Sequence, residues 1–226
     1  MPFLLIFFLI FIHEVGHFLM AFLFGFTIDK IYLYPYGGIS KFNLEMNVDL
    51  KKELVVLFMG PIFQILGYCF IMHFSFFSSY HEMIQTIHYS ILFFNFLPIY
   101  PLDGGKLINI LFGYKLNFRR SFRCAIFLSY ITVFLLFLYY IKTSLSLNVV
   151  FMLSFLIYKI TIENRNENTY YNKFLLERHL NSCHFKRYKK IHSIDDFYRN
   201  CSHIIQVGDR FLTEKECLAK KFNTKY

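Results

Sequence analysis

The sequence predicts an all-α polytopic membrane protein with about five transmembrane helices, one of them broken, and a small β-hairpin-like loop after the first. Three observations carry this reading. Of 226 residues, 56% are hydrophobic and 21% aromatic, with 31 Phe, while only 17% are charged. Such apolar content exceeds what one globular core encloses and excludes a disordered chain. Five stretches approach the roughly 20 residues a helix needs to cross about 30 Å of hydrocarbon. The 24 Lys and Arg, which against 15 Asp and Glu give a net charge of +9, flank these stretches and form no compact patch, so they speak for topology and against direct nucleic-acid binding. Five Cys without a C-x-x-C pair indicate neither a disulfide framework nor a zinc ribbon.

The first span runs from Met1 to Phe26, and its only ionisable side chains are His13, Glu14 and His17. It lacks the basic start and small-residue cleavage site of a signal peptide, and so reads as a retained helix. Leu54 to Ser79 contains no Asp, Glu, Lys or Arg. The third span, Ile84 to Phe112, is interrupted by Pro98, Pro101, Asp103, Gly104, Gly105 and Lys106, the residues of a broken helix. Ala125 to Ile141 and Thr143 to Ile162 complete the set, with Lys159 close enough to an end to snorkel. Lys115, Arg119, Arg120 and Arg123 form a basic loop, and the tail from Glu163 carries 13 basic against 8 acidic residues. Both are expected on the cytoplasmic side, which places Thr27 to Glu53 inside and Met1 outside.

His13-Glu14-Val15-Gly16-His17 matches H-E-x-x-H. Positions four apart lie one above the other on a helix, so two imidazoles can bind one zinc ion while the Glu between them activates water. A random chain of this composition would contain such a string with a probability of about 1 in 100, and an intramembrane position makes it costlier still. Each charged group at membrane depth costs on the order of 3 kcal/mol unless it faces a partner or a cavity. A hydrolytic zinc site has three protein ligands and an open position. Asp103 is the natural third ligand, because it is the other carboxylate at membrane depth and follows irregular backbone of the kind that lines cavities. Its alternative role is to cap a helical piece beginning near Gly104.

These strings, together with Asn95-Phe96-Leu97-Pro98-Ile99-Tyr100-Pro101-Leu102-Asp103-Gly104-Gly105-Lys106, resemble the site-2 protease family of intramembrane metalloproteases. The resemblance covers most of residues 1 to 185, including Tyr34-Pro35-Tyr36-Gly37-Gly38 and Gly60-Pro61, and is greatest to members from endospore formers. It implies zinc held by His13, His17 and Asp103, with Glu14 as general base. It places Asn95 beside the substrate chain, although an interhelical hydrogen bond is an equal alternative for Asn95. Gln64 stands where the family commonly carries Asn, and no role is assigned to it.

The resemblance further implies cleavage of the pro-sequence of a sporulation sigma factor, an active site opening toward the cytoplasm on the mother-cell side, and contact with membrane lipid and membrane-embedded inhibitor proteins. Residues 1–162 would form the metalloprotease domain, and 163–226 a basic cytoplasmic tail holding a truncated CBS-like module. Relatives begin with one further helix, so an N-terminally incomplete chain is expected. The loop from Ile31 to Ile39 has the composition of a hairpin that could pair with an extended substrate, or of an interfacial loop anchored by Tyr32, Tyr34 and Tyr36. In the tail, His179, Cys183, His184 and His203 match no standard zinc spacing and are expected on a solvated helix, and Lys186 to Lys190 is expected to touch a membrane surface or a partner. Two other classes compete with the protease: a transporter or ion pathway using intramembrane His, Glu and Asp, and a metal-binding scaffold without catalysis.

Overall fold

A computed structural model describes residues 2–26, 32–34, 37–39, 46–74, 79–143, 146–181, 185, 187–207 and 210–223. The chain divides into two compact units, residues 1–45 with 51–96, and residues 46–50 with 97–226.

The first unit contains α1 (Pro2–Leu23), a hairpin of β1 (Tyr32–Tyr34) and β2 (Gly37–Ile39), α2 (Leu50–His73) and α3 (His81–Phe96). In the hairpin, Tyr32 pairs with Ile39 and Tyr34 with Gly37 in antiparallel register; the rest of the Ile31 to Ile39 loop, Pro35 and Tyr36 included, lies outside the described residues. α1 is apolar on every face, yet it buries one stripe with a spacing of three to four: Leu5, Leu9, His13, Gly16, His17 and Ala21. α2 buries a matching stripe of Val56, Gly60, Gln64, Gly67 and Ile71. The two helices meet closely because small residues let backbones approach. A Cβ on Gly16 would lie 2.4 Å from the Met59 carbonyl oxygen, and one on Gly67 would lie 2.8 Å from Ile12 Cδ1. Leu5, Leu9, Ile71 and Ile84 form the unit's apolar core. The opposite faces expose Phe7, Phe11, Phe22, Phe70 and Phe93, the distribution required where lipid is the solvent.

The second unit continues with α4 (Asp103–Gly113), α5 (Phe118–Thr143), α6 (Leu147–Arg165), α7 (Glu167–Leu180), β3 (Tyr188–Ile191), a 3-10 turn at Ile194–Asp196, β4 (Ser202–Val207), β5 (Arg210–Thr213) and α8 (Glu214–Asn223). Among the described residues, four helices are long and apolar enough to cross a membrane: Leu4–Leu23, Leu50–His73, Phe118–Thr143 and Leu147–Arg165. The expectation of five is corrected at the third stretch. It is broken as expected, but α3 has 16 residues and α4 only 11, so neither piece reaches a full span. The basic loop is corrected too: Arg119, Arg120 and Arg123 lie in the first turns of α5. Asn117 starts that helix by accepting from the Arg120 N–H at 2.8 Å, as an N-cap side chain does. Ser146 opens α6 in the same way through the Val149 N–H.

The all-α class is corrected by a three-stranded sheet near the C-terminus, β3 parallel to β4 and β4 antiparallel to β5. Its strands are short, and β3 reads Tyr-Lys-Lys-Ile, a run whose charges mask the strand period. Phe118, Tyr171, Phe174, Leu175, Ile191, Phe197, Ile205 and Leu218 close a core between the sheet and α5, α7 and α8. Arg178 is fully enclosed beside it. Its guanidinium donates to Asn47 Oδ1, Glu214 Oε1 and the carbonyls of Cys201 and Tyr198 at 2.6 to 2.9 Å, and lies over the rings of Phe174 and Phe197.

His203 also departs from its expectation. It sits buried in β4, not on a solvated helix. Burial outweighs the upward pull of its hydrogen bond to Glu214 and holds it below the usual imidazole range. Its Nε2 accepts the Tyr198 N–H at 2.9 Å, and Nδ1 faces Glu214, so neither nitrogen is left for a second metal. His179 lies in α7; Cys183, His184 and Lys186 lie outside the described residues.

Removing the enclosed cation leaves the half-buried Glu214 carboxylate without the guanidinium that balances its charge, although His203 still contacts it. Arg178→Met is therefore expected to destabilise the C-terminal sheet module by about 3–5 kcal/mol. Limited proteolysis of the full chain in detergent would show it as faster loss of the region after α7, with the membrane helices still resistant.

Candidate metal centre

The centre begins with helical spacing. His13 and His17, four residues apart on α1, project from one face and are 2% and 7% exposed. Their rings meet edge to face with centroids 4.8 Å apart. A buried imidazole needs partners for both nitrogens, and the neighbouring helix supplies them on the Nδ1 side. His17 Nδ1 donates to the Val56 carbonyl at 2.9 Å, and His13 Nδ1 meets Gln64 Oε1 at 2.9 Å. The Nε2 atoms of the two rings are thereby turned toward each other, 3.1 Å apart.

A metal fits that pair. A backbone carbonyl can only accept, so His17 carries its proton on Nδ1 and presents a lone pair at Nε2. Two nitrogens bound to one tetrahedral zinc at about 2.0–2.1 Å stand about 3.3 Å from each other, close to the separation seen. Space is kept for an ion by Gly60: a Cβ there would lie 2.3 Å from His17 Nε2 and 2.8 Å from His13 Nε2. Only glycine leaves this volume empty.

The remaining predicted residues are placed as follows. Glu14 follows His13 on α1 and is half-buried. Asn95 lies near the end of α3 and is half-buried. Asp103 belongs to the second unit, where it is the first residue of α4 and 8% exposed. The helix-cap position is taken by Leu102, so the capping alternative for Asp103 loses its basis. The turn before it is held by Ser129 of α5, which accepts the Tyr100 N–H at 2.8 Å. Gly105 lets the chain double back there, since a Cβ on it would lie 2.4 Å from the Tyr100 nitrogen. Lys106 Nζ stands 3.1 Å from Asp103 Oδ1. Gln64, to which the sequence assigned nothing, is completely buried and touches His13. Its signal was available: a Gln one turn after Gly60-Pro61 inside an apolar span needs a polar partner.

Comparison with known proteins agrees with this chemistry. Residues 1–89 match Peptidase family M50. The chain is 32% identical over 218 residues to stage IV sporulation protein FB of Bacillus subtilis, covering 87% of this chain and 74% of that protein. It is 25% identical over 128 residues to a zinc metalloprotease of Methanocaldococcus jannaschii, covering 54% of this chain and 38% of that one. The solved site-2 protease from Methanocaldococcus jannaschii has a similar fold, with a TM-score of 0.57 at 20% identity over 71% of this chain and 76% of that one.

Filling the gap beside the two Nε2 atoms should displace the rings. Gly60→Ala is expected to lower zinc affinity by at least about tenfold while the protein keeps its helix content, as chelator competition and circular dichroism on the purified chain would show.

Proposed function

The chain belongs to peptidase family M50, the zinc metalloproteases of site-2 type, and from that premise we propose that it hydrolyses a peptide bond of a membrane-associated protein with zinc held by His13, His17 and Asp103. The observation that carries the reading is the pair of buried imidazoles whose Nε2 atoms converge 3.1 Å apart. All three proposed ligands are buried, and each offers one nitrogen or oxygen donor. Family membership takes the place of the transporter and scaffold alternatives.

Zinc in such a centre supplies a Lewis acid and lowers the pKa of water toward 7. The chain's own residues do the rest. Glu14, on the helix that carries both imidazoles, takes the proton of the attacking water and passes it to the leaving amide nitrogen. No covalent bond to the protein forms. Water has to be confined to the polar side chains of α1, α2 and α3, because the remaining surface of these helices is apolar. An extended substrate segment is needed, since a helix hides its amides, and the edge of the β1–β2 hairpin suits an added strand. Asn95 would hold that segment.

The substrate we infer is the pro-sequence of a sporulation sigma factor, supported by the 32% identity to stage IV sporulation protein FB and by the Asn95 to Lys106 string. Residues 1–162 would act as the protease domain, and 163–226 as a basic cytoplasmic tail with part of a CBS-like module. The basic residues at the start of α5 and in the tail favour a cytoplasmic opening.

Glu14→Gln is expected to abolish cleavage of a co-expressed pro-protein while zinc stays bound, because the base is lost and the ligands are spared. Near wild-type processing by that variant would refute the mechanism. Asp103→Ala should lose metal and activity together. Asp103→Asn should be severely impaired as well, because an amide oxygen is a poorer zinc ligand than a carboxylate. A fully metallated, active Asp103→Asn protein, by metal analysis and the same processing assay, would move the third ligand elsewhere.

A further inference from the structure

We propose that Gln64 is a positioning residue for the metal centre: it fixes the tautomer of His13, and is itself fixed by the backbone of α3. The inference rests on the reading of His13 and His17 as zinc ligands and concerns what makes one of them a ligand.

An imidazole can bind metal through Nε2 only when its proton sits on Nδ1. His17 has that assignment enforced by the Val56 carbonyl. His13 faces an amide, which could offer either its oxygen or its NH2 group. If the NH2 were turned to His13, Nδ1 would have to accept, the proton would move to Nε2, and the ring could not bind metal there. The choice is made one step further out. Gln64 Nε2 stands 3.1 Å from the carbonyl oxygen of His88, an acceptor that has no proton to give. The NH2 must therefore face His88, which leaves Oε1 at 2.9 Å from His13 Nδ1.

The chain of constraint thus runs from a backbone carbonyl of α3, through one side chain of α2, to the lone pair of a histidine on α1. Nothing along it can rotate freely. Gln64 is completely buried, His88 is 2% exposed, and the His88 ring is stacked on Tyr68 at 4.2 Å. In this apolar setting an amide turned the wrong way would leave the His88 carbonyl facing a second acceptor, at a cost that selects one orientation.

The test uses the full chain, purified in detergent and stripped of metal, with zinc affinity read by chelator competition and Co2+ absorption as a probe of ligand geometry. Gln64→Met keeps length and approximate shape but cannot donate, and its thioether sulfur is only a weak acceptor. It is expected to weaken zinc binding by about 10–100-fold and to alter the Co2+ spectrum, with helix content unchanged. Gln64→Glu restores an acceptor for His13, and its protonated form reproduces both hydrogen bonds, so it is expected to recover wild-type affinity. A Gln64→Met protein that binds zinc as tightly as wild type would overturn the inference. So would equal weakening in the Met and Glu variants, because the acceptor would then be irrelevant. If Gln64→Met does not fold, Gln64→Glu decides alone: wild-type affinity supports the inference, and a loss of about tenfold or more in folded protein overturns it. Wild-type protein that takes up no zinc would instead remove the zinc reading itself, an outcome separate from any difference among variants.

Discussion

Two imidazoles packed inside an apolar helical unit must each give their Nδ1 proton to an acceptor, and the interior of the first unit is arranged around that requirement. His17 meets it with the Val56 carbonyl and His13 with Gln64. Each partner left unmade would cost about 1–3 kcal/mol, several times what a single apolar contact returns. Helices α1 and α2 therefore cannot slide or turn independently. Gly16 and Gly67 give them the close approach that the short bonds demand, and Gly60 keeps the volume beside the Nε2 atoms clear of a side chain.

The second unit solves a different problem with the same means. Asp103 has to be presented at the start of a short helix that follows two prolines, where the backbone loses donors and regular pairing. Ser129 accepts the Tyr100 N–H, and Gly105 admits the return of the chain, so a segment without regular structure is still held at defined points. Farther along, the sheet module has a charged centre. Arg178 gathers Asn47, Glu214 and two carbonyls between aromatic rings. A guanidinium suits this position because its five donors lie in one plane and its faces stack on rings.

Much of this was readable in the sequence. The apolar runs announced spans, and the string from Pro98 to Lys106 announced a break that the structure places between α3 and α4. His13, Glu14 and His17 announced metal chemistry, because three polar groups at membrane depth are too costly to keep unless they share a ligand or a partner. The count of spans and the fold class were less legible. A run of apolar residues broken by prolines does not say whether its pieces cross, and Tyr188–Ile191 hides a strand under two lysines.

The sequence alone determined the membrane character, the pairing of two histidines on one helical face, and the identity of the residues able to bind metal, because these depend on composition and on a spacing of four. Tertiary structure alone decided which face of each helix turns inward. α1 and α2 are apolar all round, so hydrophobic periodicity carries no signal, and the buried stripes appear only when polar groups find each other across helices. Gln64 belongs to that second class. Its neighbours in the chain say nothing of His13, 51 positions away, or of the His88 carbonyl, and hydrogen bonds between distant residues are made by packing, not by local order.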